Sequence, residues 1–466
     1  MAYITAHFRF FAFPFIAGLL LYVLLVSPPP ASADPALLKE ILISFNQKLH
    51  AESLADGSYR GEEGILRISP EAAKIIGMNA LIDQDYLEAR ESRQNADRSL
   101  DRAKAALVLQ KRDLTAEEQA QQIVEHFLSF KKGHETAREK LLRYRSKLNA
   151  TADERLNDAL ALQVMDRFLT ESLKRMDYRL RDALAYFYNL CHGMNQPDYA
   201  LTTENVGFVN EVFRQFVPRA SKESLRVFDL DKASGVNGKR DQGDWKKIIE
   251  RYNSQYASVL EATAEKYTGS SNGVDPLLFI ALMRRESGFD ASALSRVGAA
   301  GLTQIMPQTA LELGMKNIFK PAYFDRALTL MEQERRTRSE AMSALFKITE
   351  ENGLQSAVRA RELMQESLAY GQEKDRLFAQ YRVDLARNRG DDRFKPAQAI
   401  EAGFRYFSRL LKEHEGDVSL ALASYNAGSH RVREYGGIPP FSETVLFRNK
   451  VLEYYRDYMK KAGENH

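Results

Sequence analysis

Residues 275–286 read DPLLFIALMRRE and decide the fold class of the C-terminal part of the chain. Asp275 is a good N-cap and Pro276 suits the first helical position, so a helix is predicted to begin here. The run that follows is apolar almost all round, which is typical of a helix buried inside a helical domain. Glu286 ends this run and shares a face of the predicted helix with Phe279 and Met283.

The position of Glu286 predicts an unusual carboxyl group. Apolar neighbours remove its hydration, and the negative end of the helix disfavours another negative charge. Both effects raise its pKa towards that of a general acid usable near neutral pH. Arg284 and Arg285 oppose this only if they fold towards the carboxylate. The alternative is an ordinary solvated glutamate at a helix end.

The composition of the whole chain also indicates a mainly helical protein. Its 466 residues suffice for two or three domains, and it has only 14 prolines and 26 glycines. The 66 basic and 63 acidic side chains give a net charge of +3, which argues against nucleic acid as a partner. The single cysteine, Cys191, excludes an internal disulfide framework and a cysteine-based zinc site. With no HExxH spacing and no glycine-rich phosphate loop, we predict neither a metal nor a cofactor.

The first 33 residues are predicted to be a signal peptide. A 17-residue apolar run, Phe10–Val26, is followed by three prolines and by Ala31-Ser32-Ala33, a pattern that signal peptidase cleaves. The mature chain then begins at Asp34 and lies in the periplasm or cell envelope. The alternative is an uncleaved anchor, for which the run is short of the ~20 residues that a membrane helix needs.

Residues 34–225 are predicted to form a helical N-terminal domain. Apolar residues at three- and four-residue spacing indicate helices over Asp83–Arg112 and Thr115–Asn149. No internal repeat of fixed period is expected from the sequence.

Residues 226–272 are predicted to be a linker with a connecting helix. This segment contains Asp229 and Asp231, which is how a calcium loop begins. Ser234 and Arg240 stand where that loop needs glycine and a bidentate glutamate, so an ordinary loop is favoured.

Three ordered motifs resemble the catalytic domain of soluble-type lytic murein transglycosylases. The first is ESGFD at 286–290 with SRVGAAGLTQIMPQTA at 295–310, the second is ALASYNAG at 421–428, and the third is PFSET at 440–444, followed by Val451 and Tyr454-Tyr455. The resemblance covers about Gly273–Met315 and Phe394–Tyr458. It implies a lysozyme-like, mainly helical domain over residues 273–466, which cleaves peptidoglycan glycan strands between N-acetylmuramic acid and N-acetylglucosamine.

The resemblance also implies the roles of particular residues. Glu286 becomes the single catalytic acid and base, and the residues expected to line the glycan or peptide groove are Ser295, Gln304, Tyr425, Asn426 and Glu443. A protonated glutamic acid can donate to the glycosidic oxygen and then take a proton from the sugar's own 6-hydroxyl. The product would be a 1,6-anhydro end, and no second carboxylate is required.

Three alternatives remain at this point. A lysozyme-like hydrolase would share the fold but use water, and a non-catalytic scaffold would only bind cell wall. Each polar groove residue could instead make a structural hydrogen bond. The predicted partners are peptidoglycan glycan strands, together with other envelope proteins that bind the N-terminal domain or the insertion described next.

The sequence departs from the family pattern in single residues and in one insertion. Ala291 replaces a proline, Thr303 a methionine, Ser429-His430 a Pro-Gly pair, and Val445 stands where arginine often occurs. The insertion spans about residues 319–392. Two charged amphipathic helices, Ala327–Glu351 and Leu354–Arg387, predict a helical hairpin that would serve as a lid, a wall of the groove or a docking arm.

Overall fold

The computed structural model describes residues 35–109, 114–192, 194, 200–222, 225, 246–247, 250, 254–268, 274–388 and 390–463. Regular structure in these residues is helical, apart from three isolated β-bridges. The mainly helical fold that the sequence predicts is therefore confirmed. The predicted signal peptide and the calcium-like segment lie outside the described residues.

The described residues contain sixteen α-helices and three short 3₁₀ turns. The helices are α1 Pro35–Asp56, α2 Pro70–Ile75, α3 Gln84–Val108, α4 Ala116–Ser146, α5 Asp158–Arg175, α6 Leu180–Cys191, α7 Val206–Phe216, α8 Ala257–Thr268, α9 Pro276–Ser287, α10 Pro307–Glu312, α11 Ala322–Phe346, α12 Gly353–Arg387, α13 Pro396–Glu413, α14 Val418–Ala427, α15 Ser429–Glu434 and α16 Ser442–Gly463.

Helix α9 begins and ends for local chemical reasons. The Asp275 side chain accepts a hydrogen bond from the Leu277 amide, and Pro276 occupies the first turn, as the sequence predicts. The helix stops at Gly288, whose φ of 58° lies in the left-handed region. Seven consecutive residues from Leu277 to Met283 are buried, so the helix runs through the core of the C-terminal part. Glu286 is thereby fixed in its last turn.

The insertion forms the predicted helical hairpin, made of α11 and α12. A second hairpin, made of α3 and α4, stands in the N-terminal part, and Thr115 and Glu118 form a capping box at the start of α4. The two hairpins pack against each other through a shared apolar cluster that includes Leu107, Phe127 and Leu345. The insertion thus docks onto another part of the same chain.

The two hairpins belong to an internal duplication. Helices α2 to α6 recur in the same order as α10 to α14, and α3 and α11 both have 25 residues while α5 and α13 both have 18. Pro70 corresponds to Pro307 and Asp158 to Pro396, separations of 307 − 70 = 237 and 396 − 158 = 238 positions. The expectation that the sequence has no internal repeat is therefore wrong. We refer below to residues 35–216 and 276–463 as the N-terminal and C-terminal halves.

Each half contains the same buried group, which we call the arginine clamp. It consists of an arginine, the aspartate two residues before it and a tyrosine: Arg155, Asp153 and Tyr144 in the N-terminal half, and Arg393, Asp391 and Tyr381 in the C-terminal half. Both arginines are almost fully buried, and each donates to its aspartate at 2.8 Å. Each also donates to two backbone carbonyls of a glycine-containing loop. Matched bonding of this kind shows that both halves fold alike.

The loop held by each clamp explains why glycine is required there. A Cβ on Gly64 would lie 1.9 Å from the carbonyl oxygen of Arg155, and one on Gly301 would lie 1.8 Å from that of Arg393. Both glycines also have a positive φ, of 74° and 76°. The repeat is hard to detect in the sequence because the two halves share only a few widely spaced residues such as these. The helices between those residues differ in sequence.

Two equivalent asparagines join the halves. Asn210 of α7 exchanges two hydrogen bonds with the backbone of Ile438, at 2.8 and 3.1 Å. Asn449 of α16 donates to the carbonyl of Leu201 at 2.7 Å. Helix α7 thus contacts the segment that precedes α16, and α16 contacts the segment that precedes α7.

Candidate active site

Glu286 has a pKa suited to acid–base chemistry near neutral pH. Burial raises its pKa from 4.5 to about 8, the charge of Arg285 lowers it, and the negative charge of Glu443 raises it. The side chain keeps partial contact with solvent, but the surrounding protein withholds much of the hydration that an ionised carboxylate needs. The direction agrees with the sequence prediction. Glu286 is therefore protonated at neutral pH.

The loop from Gly298 to Ile305 forms one side of the site. Gln304 adopts a positive φ of 47° there. Its Nε2 donates to the carbonyls of Ala293 and Gly301 at 3.0 and 2.9 Å. Both amide hydrogens are thereby used to brace the loop, so the amide oxygen of Gln304 is what it can offer a ligand.

Ser295 closes the turn that leads into this loop. Its Oγ accepts a hydrogen bond from the Ala299 amide at 2.9 Å, and its own amide donates to the Ala299 carbonyl at 2.9 Å. These bonds give Ser295 a structural role, which was one of the alternatives that the sequence left open. Its hydroxyl hydrogen can still be donated to a ligand.

Tyr425 lies next to Glu286 and connects α14 to the loop. Its hydroxyl donates to the carbonyl of Thr303 at 2.7 Å. Burial, followed by the nearby charge of Glu286, raises the pKa of Tyr425 well above 10, so the phenol stays neutral. Its ring centroid lies 5.0 Å from that of Tyr406 and 6.5 Å from that of Phe447. The packed ring is a rigid wall beside the acid.

The remaining two predicted site residues meet where the end of α14, with Asn426, contacts the start of α16, with Glu443. Asn426 accepts a hydrogen bond from the Thr444 hydroxyl at 2.8 Å, which fixes its side chain and turns its NH₂ away from that contact. Glu443, one residue earlier, is exposed in the first turn of α16. The structure thus brings both Tyr425 and Glu443 within electrostatic reach of Glu286. Gln304 and Ser295 make their hydrogen bonds within the adjoining loop and the turn that leads into it.

The departure at Thr303 has a packing explanation. Thr303 is fully buried, and its hydroxyl donates to the carbonyl of Ala399 at 2.9 Å. Its methyl group lies where a Cβ on Gly403 would come within 2.5 Å, so α13 passes close to the loop. Threonine at 303 and glycine at 403 are both small, and this allows α13 to pack close to the loop.

Sequence reasoning missed the arginine clamp as a support of the site. Arg393 donates to the carbonyls of Gly298 and Ile305 at 2.9 and 3.3 Å and so holds both ends of the loop that carries Gln304. A signal was present, because Gly61, Gly64 and Pro70 have the spacing of Gly298, Gly301 and Pro307.

Two negative findings concern the described part of the chain. It contains no group of three or more His, Cys, Asp or Glu side chains that could hold a metal ion. None of its helices is apolar over a length that would cross a bilayer.

One family model and two solved structures show similarity to this chain. The family model for the transglycosylase SLT domain matches residues 263–329 and 325–444. Among solved structures, an inactive mutant of the lytic transglycosylase Slt from Pseudomonas aeruginosa is 15% identical, over 95% of this chain and 74% of that one, with a TM-score of 0.28. The 70 kDa soluble lytic transglycosylase from Escherichia coli is 15% identical, over 84% and 65%, with a TM-score of 0.29.

The matched residues place a transglycosylase SLT domain in the C-terminal half.

Proposed function

We propose that the protein cleaves the β-1,4 bond between N-acetylmuramic acid and N-acetylglucosamine without water, leaving 1,6-anhydro ends, with Glu286 as acid and then base. The pKa of about 8 at Glu286 is the observation that carries the proposal. A carboxyl group with this pKa holds its proton at neutral pH and, once deprotonated, is a better base than an ordinary carboxylate.

The reaction needs two proton transfers at the same group. Protonated Glu286 first donates to the glycosidic oxygen as the bond to C1 breaks. The resulting carboxylate then accepts the proton of the sugar's 6-hydroxyl while that oxygen bonds to C1. Atoms and charges balance without water, and the acid ends in its starting state.

The residues around Glu286 support binding roles. The Gln304 oxygen can accept from a sugar hydroxyl or amide, and Asn426 can donate to a carbonyl. The Tyr425 ring offers a flat face, and the Ser295 hydroxyl can donate. Glu443 stands exposed at the rim, where a sugar hydroxyl or a peptide amine could reach it.

A hydrolytic, lysozyme-like reaction is the alternative that a specific observation favours, because Glu443 supplies a second carboxylate near Glu286. Ordinary two-carboxylate glycosidases hold both groups close to the scissile bond. The exposure of Glu443 supports a role at the rim instead.

The organisation and location of the protein follow as proposals. We divide the chain into a signal peptide over residues 1–33, an N-terminal domain over 34–225, a connecting segment over 226–272 and a catalytic domain over 273–466 with its insertion at about 319–392. The signal peptide supports a periplasmic location. Docking of other envelope proteins stays a prediction, and the hairpins already use one face of the insertion for each other.

The decisive experiment compares the intact protein with Glu286→Gln on purified peptidoglycan. Turnover should fall by at least ~10²-fold, the usual minimum for a general acid. Mass spectrometry should find wild-type products with an anhydro end, one water lighter than a reducing end. Reducing ends alone would favour the hydrolase, and full activity of Glu286→Gln would remove Glu286 from the mechanism.

A further inference from the structure

The N-terminal half contains a cavity of about 270 Å³ that no step of the proposed reaction uses. Its lining includes Phe45, Arg67, Phe187, Tyr188, Glu204 and Phe208. The volume lies just below the ~300–1,000 Å³ of common small-molecule sites, which suits a single sugar ring. We call it the N-terminal cavity.

The duplication places this cavity where the C-terminal half has its active site. Arg67 corresponds to Gln304, and these two residues share an unusual positive φ, of 50° and 47°. Along α6 and α14, Phe187 corresponds to Tyr425. The segment preceding α7 matches the start of α16, so that Glu204 corresponds to Glu443.

The position of Glu286 is taken by Phe45. A shared hydrogen bond fixes this correspondence, because Asn46 donates to the carbonyl of Ile65 at 3.0 Å and Ser287 donates to the carbonyl of Leu302 at 2.8 Å. Each donor follows directly the residue in question. Phe45 is buried and cannot transfer a proton, so this copy of the site lacks an acid.

The N-terminal cavity has nevertheless kept groups that suit a carbohydrate. Tyr188 and His192 form a stacked pair with ring centroids 4.0 Å apart, which presents a broad aromatic surface. The Nε of Arg67 is buried and makes no hydrogen bond with the described residues. Burying such a donor costs free energy unless a ligand satisfies it. Glu204 is exposed beside them and can accept from a hydroxyl.

We propose that the N-terminal cavity is a second, non-catalytic binding site for an N-acetylated amino sugar of a glycan strand. The aromatic pair would stack on the sugar ring, and Arg67 would donate to an acetamido or carboxylate oxygen. The proposal rests on the proposed function only for the class of ligand. The chain would then hold one part of the glycan without cutting it while the C-terminal half cuts another.

The test counts binding sites on the full-length Glu286→Gln protein, which suppresses turnover. Calorimetric titration with the tetrasaccharide of N-acetylglucosamine should give two sites per chain. Gly207→Phe should leave one, because Gly207 lines the cavity and a Cβ there meets nothing within 4 Å. The matched control Gln47→Phe, at an exposed position of α1, should keep both sites.

A milder variant guards against misfolding. Arg67→Ala should weaken the second site by about tenfold or more, as expected for a lost hydrogen bond from a charged group. Its circular dichroism should match that of the parent. The proposal would be overturned if Glu286→Gln bound the sugar at fewer than two sites, or if two sites remained after Gly207→Phe. Binding of free stem peptide instead of the sugar would also overturn it. Product analysis of the wild type decides the proposed function separately.

Discussion

Replacing Glu286 by glutamine should stabilise the protein at neutral pH while it removes activity. In the folded protein the carboxyl has a pKa of about 8 against an ordinary value of 4.5. Between these two values the unfolded chain has lost its proton and the folded protein has kept it, so the free energy of unfolding falls as pH rises. Glutamine has no proton to lose and is free of this effect.

The size of the effect follows from the pKa difference. Each pH unit above 4.5 costs about 1.4 kcal/mol, which gives at most about 3.5 kcal/mol at pH 7. Partial exposure of the side chain reduces this figure. At about 2–4 °C per kcal/mol for a unit of some 200 residues, the Tm of Glu286→Gln should rise by several degrees at pH 7.

The assay is a series of thermal unfolding curves between pH 4.5 and pH 9. The gain in Tm over wild type should be near zero at pH 4.5, grow with pH and level off above pH 8. Glu351→Gln is the matched control, because this side chain is exposed in the loop between α11 and α12, away from the site. A gain that is independent of pH would refute the shifted pKa and with it the main support for the acid.

Three further predictions concern the loop and the acid. Gly301→Ala should unfold or inactivate the C-terminal half far more than Gly314→Ala, since both have positive φ but only the first meets a backbone oxygen; thermal unfolding compares them. Asp391→Asn should cost about 3–5 kcal/mol in urea unfolding, because it leaves the clamp arginine buried without its counter-charge. In pH–rate profiles, Arg285→Gln should move the alkaline limb of kcat/KM to higher pH, because the charge of Arg285 lowers the pKa of Glu286. Glu443→Gln should move it to lower pH, because the charge of Glu443 raises that pKa. Shifts of the same sign would contradict this electrostatic account.

The candidate site could be placed from the sequence because its motifs combine a helix signal with polar residues. The Asp275-Pro276 start, the buried run and the terminal glutamate give Glu286 its position without any tertiary information. The hairpin of the insertion was equally accessible, since its helices are long and amphipathic.

What the hairpin does could not be predicted, because its apolar stripe gives no indication of the surface that covers it. The structure shows that the end of the hairpin nearest the site packs against the loop from Gly298 to Ile305. Tyr381 and Phe324 pack with ring centroids 4.4 Å apart, just as Tyr144 and Tyr86 do at 5.1 Å in the other half. Removing the whole segment would therefore remove the clamp.

The duplication has a consequence for how the two grooves can change. Two identical chains that pair through the same surfaces must share every substitution, so a mutation that removes the acid would silence both sites at once. Here the two units are joined in one polypeptide, and each is encoded by its own stretch of sequence. One groove can therefore carry Phe45 while the other carries Glu286 at the corresponding position. Covalent linkage has released the pair from the constraint of symmetry.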